Sequence, residues 1–256
     1  MSQFEEAKLQ WQAKQRESAA STLGSVLASG RSVSSLSRVA AQLETHVDRA
    51  IAERHAGADV LRRGGRQLPQ VACCKGCSAC CHTMRVLASG LEVVRLVSYL
   101  RSTLGVEEIE ALVLKLRAYD RVVTIRLDGT PAPQRIACVF LEHDACSVYA
   151  ARPIACRAFH SLDLSKCLAR FEDPSRGDVP QILDVFDAVA PVVAGIEQGL
   201  GRFGLRGSPL LLWKAVLIAL EDSSACERYL AGEDVFASAT SAAIERAAKA
   251  GGLTPR

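Results

Sequence analysis

Four cysteines fall within eight residues, Cys74-Lys75-Gly76-Cys77-Ser78-Ala79-Cys80-Cys81, and three more follow at Cys138, Cys146 and Cys156. No other feature limits the local structure of the chain as much. Thiolates are soft ligands that select zinc, copper(I) or iron–sulfur clusters, and a three-residue repeat lets one turn of backbone aim two sulfurs at one ion. A cysteine used only as a small buried apolar side chain needs no such crowding. The pattern reads as a metal site set in irregular backbone.

Disulfides are the competing account, because ten cysteines could form five bridges. Cysteine is only about 4% of the chain, below the roughly 8–10% of a disulfide scaffold. The chain shows no charged-then-apolar leader with a small-residue cleavage site, so the expected location is cytoplasmic, where thiols stay reduced. With 256 residues, 49% of them hydrophobic, the chain can bury a core without staples. The longest strongly apolar run, Pro209 to Leu220, is interrupted by Lys214 and falls short of the roughly twenty residues needed to cross a bilayer. No membrane partner is expected.

A formal charge of +3 with diffuse Lys and Arg gives no electrostatic footprint for nucleic acid. A zinc ion held by four thiolates carries a net −2, so one such site would lower the formal charge to about +1 and two to about −1. Lys75, Arg85, Arg152 and Arg157 are the candidates to screen that charge, with solvated surface an equally good reading of Lys75 and Arg85.

Helical patterning dominates the flanks. Phe4 to Ala20 is rich in helix formers, and Ser and Gly between Ser21 and Ser35 predict a break. Ser35 to Arg63 carries Leu36, Val39, Ala40, Leu43, Val47, Ala50, Ile51 and Leu61 near helical spacing, with Gly64-Gly65 as the stop. After the cluster, Ser89-Gly90 opens a helix that Gly105 ends, and Glu107 to Arg121 forms another. Asp128 to Gln134, with Gly129, Pro131 and Pro133, reads as a loop. Ile136 to Leu141 and Ser147 to Tyr149 suggest a short hairpin around Glu142 to Ala145, bringing Cys138 near Cys146. Glu172 to Pro180 looks like a surface linker, followed by helices around Ile182 to Leu200, Leu210 to Glu221 and Val235 to Ala250. The expected fold is mainly α, a bundle-like helical scaffold with an irregular cysteine-rich insert and at most a short β-hairpin. Its parts are a helical segment at 1–64, a metal-binding domain at 65–171 and a helical segment at 172–256 on the same core.

Cys138-x-Phe140-Leu141, Cys146-x-x-Tyr149-x-x-Arg152-Pro153-x-x-Cys156-Arg157-x-Phe159 and the preceding Cys74-x-x-Cys77-x-x-Cys80-Cys81 together resemble the YkgJ-type cysteine-cluster family, named for zinc or iron chelation, over roughly residues 70 to 167. The resemblance implies Cys74, Cys77, Cys80, Cys81, Cys138, Cys146 and Cys156 as metal ligands, with Cys167 as an eighth. A similar cysteine pattern in flagellin lysine N-methylases extends the implication to a protein-modifying enzyme. The chain has no Gly-rich strand-to-helix turn for a conventional methyl-donor pocket, and its cysteine run departs from the C-x-x-x-C-x-x-C of radical enzymes and from the ferredoxin run.

Side chains of adjacent residues diverge in most backbone conformations, so Cys80 and Cys81 are expected to serve different ions, or different irons of one cluster. Eight thiols then suggest two centres, either zinc or iron–sulfur, and the reading leans to iron–sulfur or mixed occupancy without a residue that decides it. Cys73 is off the spacing and reads as an unligated neighbour or substitute ligand; Cys226 reads as a half-buried hydrophobe. His82 and His160 are candidates for a ligand or for a hydrogen bond to one. His46, His55 and His143 read as surface residues. Asp120, Asp128, Glu142, Asp144 and Asp163 offer no pair for acid–base work.

Three function classes fit. A metal centre with redox or protein-modifying chemistry predicts a coloured, oxygen-sensitive chromophore. A zinc-stabilised module for a protein partner predicts colourless protein that unfolds with chelator. A metal carrier predicts exchangeable metal and a fold that survives its loss.

Overall fold

The structure is a computed structural model that describes residues 2–246 other than 75, 124–131, 133, 177, 241–243 and 245. The fold is mainly α, with nine α-helices and two short antiparallel strand pairs among the described residues. Helices α1 (Gln3–Ser29) and α2 (Val33–Arg63) lead to a 3₁₀ turn (Ala79–His82), β1 (Leu87–Ala88), α3 (Gly90–Thr103) and α4 (Val106–Val122). Strands β2 (Leu141–Glu142) and β3 (Ala145–Cys146) precede the short α5 (Ile154–Ala158) and α6 (Leu164–Glu172). The chain finishes with α7 (Leu183–Arg202), β4 (Leu210–Leu211), α8 (Leu212–Glu221) and α9 (Ala225–Leu230).

Serine sets where the first three long helices begin. Ser32 and Ser89 cap α2 and α3 by accepting the N–H groups of Ser35 and Glu92, satisfying donors that a helix end leaves orphaned. One apolar cluster runs from Ala19 through α2, α3, α7 and α8 to Ile244. Helices α1 and α7 approach closely, because Gly195 and Gly199 present no Cβ to the backbone of α1 at Arg16 and Ala20.

Several sequence expectations need correction. The break expected between Ser21 and Ser35 is confined to 30–32, and α1 runs on to Ser29 because Leu23 and Leu27 are buried in the common core and their packing overrides the weak propensity of the Ser-Gly stretch. Leu61 lies off the buried stripe of α2, 50% exposed. Beyond the expected hairpin there is a second strand pair, β1 with β4, which ties Leu87 to Leu211 across the chain. The 172–180 stretch is exposed at Glu172, Ser175, Arg176 and Asp178, as a surface linker would be, but its end is tied down. It packs back, with Val179 buried, Leu162 N–H donating to the Pro180 carbonyl at 2.9 Å and Ser161 bridged to Gln181. The expected loop at 128–134 and the expected helix at 235–250 lie largely outside the described residues; within the latter, Ala237–Ala239 form a 3₁₀ turn.

No described helix is long and apolar enough to cross a membrane.

Candidate metal centre

The cysteine segment is shaped by turns and isolated backbone pairs. Gly76, at φ +86°, makes the left-handed turn that Cys77 N–H closes on the Cys74 carbonyl at 3.1 Å. The 3₁₀ turn carries Cys80 and Cys81, with Met84 N–H donating to the Cys80 carbonyl at 2.8 Å. A later stretch runs beside it: Cys138 N–H donates to the Cys81 carbonyl at 2.7 Å and Ile136 N–H to that of His82 at 2.9 Å. These two bonds set Cys138 next to Cys81.

The β2–β3 hairpin adds Cys146, whose register partner is Leu141, while Leu141 N–H donates to the Cys138 carbonyl at 2.9 Å. The hairpin is shorter than the sequence suggests, since His143 and Asp144 both take φ above 0 (48° and 59°) and make a two-residue turn. Asp144 then accepts from Ser78 Oγ at 3.0 Å, strapping the tip to the cysteine run.

Cys156 comes from α5, and two buried charged residues hold that helix in place. Ile154 N–H donates to Glu92 Oε1 at 2.8 Å. Arg157 donates to the carbonyls of Arg152 (2.9 Å) and Ala150 (3.3 Å), to Asp48 (2.5 Å) and to Glu44 (3.1 Å). Burial lifts Glu44 to about 7, against the pull of Arg157 and Arg95. Arg157 is therefore no screen for thiolates, as its sequence position suggested, but a clip between α2 and the Cys156 loop.

The thiols sort electrostatically into two groups. In the first, burial raises Cys138 to about 11 and Cys146 and Cys156 also rise; Cys81 and Cys146 push on both Cys138 and Cys156, and Cys81 on Cys146. Arg152 opposes this at Cys146 and Cys156, as Arg85 does at Cys138. In the second group, burial raises Cys73, and Cys167, Cys77 and Cys74 add to the rise. The groups meet at Cys80 and Cys81. Neighbouring thiols Cys80 and Cys81 act on one another, Cys80 rising while Cys81 falls to about 7. Cys80 feels both Cys156 and Cys73.

Helix α6, capped by Asp163, packs on the 3₁₀ turn and brings Cys167 to it. A cavity of about 10 Å³ lies there, lined by Cys80, Met84, Phe159, Cys167 and Arg170 among others. The donor type throughout is the thiol that zinc and iron take. Among the described residues, no three His, Cys, Asp or Glu side chains stand close enough to form a ready coordination shell. Thiolates in a partly buried site repel one another, so drawing them in needs the charge of the ion.

Other sequence candidates fall elsewhere. Cys226 is buried in the apolar core rather than half-buried. His82 stands edge-on to Phe171. His46 and His55 are half-buried rather than surface residues: His46 pairs with Gln15 at 2.8 Å, and His55 Nε2 meets His160 Nδ1 at 2.7 Å. Asp120 binds Trp213 Nε1, Asp144 binds Ser78 and Asp163 caps α6, while Asp128 lies outside the described residues. Sequence reading missed Glu92 and the pairing of Arg157; their charges within apolar helix faces were the available signal.

Fold and site together define a helical protein built around a folded cysteine cluster. Residues 73–174 match the CxxCxxCC family model, described as "Putative zinc- or iron-chelating domain", and this segment is a domain of that family. All eight cysteines expected as ligands lie within the match. No curated protein and no solved structure matches the chain.

Proposed function

We propose that the chain is a metal-binding protein whose cysteine cluster holds two abutting centres of zinc or iron, one on Cys81, Cys138, Cys146 and Cys156, the other on Cys74, Cys77, Cys80 and Cys167. The observation that carries the reading is the backbone bond from Cys138 to Cys81, at 2.7 Å, which brings two distant cysteine segments side by side. The two electrostatic groups of thiols and the family match support it. Bound metal supplies the cation that offsets clustered thiolates and ties 65–171 into one folded domain, with 1–64 and 172–256 as its helical support. A reducing cytoplasm would keep these thiols free to bind. With iron–sulfur occupancy the centres extend to redox or protein-modifying chemistry; with zinc they make a stabilised module for a protein partner or a carrier.

The test is metal content per chain in anaerobically purified full-length variants. Cys146→Ser should lose one centre and Cys167→Ser the other, with additive loss in the double variant. Loss of all metal in each single variant would contradict two centres.

A further inference from the structure

We infer that the pocket between α3, α4 and the base of the β2–β3 hairpin binds a small organic cation with an apolar body. The site is separate from the cysteine cluster and does not depend on which thiols share an ion.

The first observation is the shape and lining of this pocket. Its cavity is about 290 Å³. Pockets that take small organic ligands begin at about 300 Å³. Helix α4 supplies one wall through Glu108, Leu112 and Lys115, which share a face at i, i+4 and i+7. Leu100 of α3 and Leu104 at its end supply the second wall, and Phe140 and Val148 at the base of the hairpin supply the third. Leu100, Leu112, Phe140 and Val148 are buried, so the floor is apolar, whereas Glu108, Lys115 and Glu142 stand exposed at the rim. Ser147 N–H donates to the Phe140 carbonyl at 2.9 Å, which holds the hairpin wall in place without a ligand.

The second observation is the charge left over at the rim. Thr103 Oγ1 donates to the Tyr99 carbonyl at 2.9 Å and Ser147 Oγ to the Phe140 carbonyl at 3.0 Å, so the hydroxyls of the lining are already bonded within the chain. Lys115 Nζ and Glu142 Oε1 pair at 3.6 Å and offset one another. The excess charge of the lining is therefore the carboxylate of Glu108. Its Oε2 accepts Gly105 N–H at 2.8 Å, and a carboxylate has about four acceptor positions, so that one bond leaves room for a cationic head. A ligand with a positive head and an apolar body meets both demands of the site. An anion of the same size would face Glu108 with nothing to offset it.

The probe is octyltrimethylammonium, a quaternary cation that cannot ligate a metal, titrated by calorimetry into the full-length protein as isolated. Octanesulfonate, with the same tail and the opposite charge, is the comparison. One cation should bind per chain, about tenfold tighter than the sulfonate. Equal affinities, or no saturable binding, would overturn the inference. A photoreactive diazirine analogue of the cation, mapped by mass spectrometry on the wild-type protein, should label peptides within 99–115 and 140–148; labelling confined to other segments would also overturn it. Glu108→Gln keeps an acceptor for Gly105 N–H and removes the charge, so it should weaken the cation about fivefold and leave the sulfonate no weaker. Leu104→Trp places a larger side chain in the cavity and should abolish binding, with metal content as the control for an intact fold. Unchanged cation binding in either variant would count against the site, and the wild-type mapping decides where a variant fails to fold.

Discussion

Glu92 joins two elements through one buried carboxylate. Oε2 accepts the N–H and Oγ of Ser89 at 2.7 Å each, capping α3, and Oε1 accepts Ile154 N–H at 2.8 Å at the start of α5. Removing the side chain abolishes half of a capping box and strands a buried N–H. Glu92→Ala should cost about 3 kcal/mol in denaturant unfolding and Glu92→Gln roughly half of that, because the amide keeps one acceptor. A loss below about 0.5 kcal/mol for Glu92→Ala would show that α5 is held by packing alone.

Arg157 is 6% exposed, and Glu44 beside it is 4% exposed. Arg157→Ala leaves that carboxylate buried with Arg95, at 3.8 Å, as its remaining ion-pair partner among the described residues. The expected loss is about 3 kcal/mol by urea titration, with Arg157→Lys in between, since Lys cannot match the guanidinium's four acceptors.

The approach of α1 to α7 is readable through its glycines. A Cβ at Gly195 would drive into the Arg16 carbonyl and sit 2.7 Å from the Ala19 Cβ, whereas one at Gly201 meets nothing within 4 Å. Gly195→Ala should lower stability by about 2 kcal/mol and Gly201→Ala should raise it by about 0.5 kcal/mol. Similar thermal midpoints for the two variants would contradict the tight contact.

How much of this was legible in sequence differs by residue. Ser89 and Gly64 marked the start of α3 and the end of α2 because capping is local chemistry, whereas α2 starts at Val33 behind its cap Ser32 rather than at Ser35. The cysteine run marked the domain, and the turn residues between Cys138 and Cys146 marked their approach. What stayed hidden was set by partners far along the chain. Ser21 to Ser29 stayed helical through the buried Leu23 and Leu27, and His55 meets a residue 105 positions away. Cys73 sits off the expected spacing, and Ser161, whose N–H donates to its sulfur at 3.2 Å, carries no signal of that role.

His160 titrates below its usual 6.5, first because it is buried and then because His55 and Arg152 face it, with the Arg157 carbonyl pulling the other way. The folded protein thus favours the neutral ring, so this contribution to stability is complete above about pH 6.5 and is lost as pH falls through the folded value. His160→Gln should flatten the stability profile between about pH 7 and pH 5 relative to wild type. An unchanged slope would show that the His55–His160 pair does not couple to folding.

The most direct test of the two-centre account is elemental analysis of wild-type protein, purified anaerobically without a metal-binding tag, together with acid-labile sulfide. The account predicts zinc or iron in fixed proportion to the chain, shared between two centres that the Cys146→Ser and Cys167→Ser variants remove separately. Freshly isolated, folded protein containing neither zinc nor iron would contradict it.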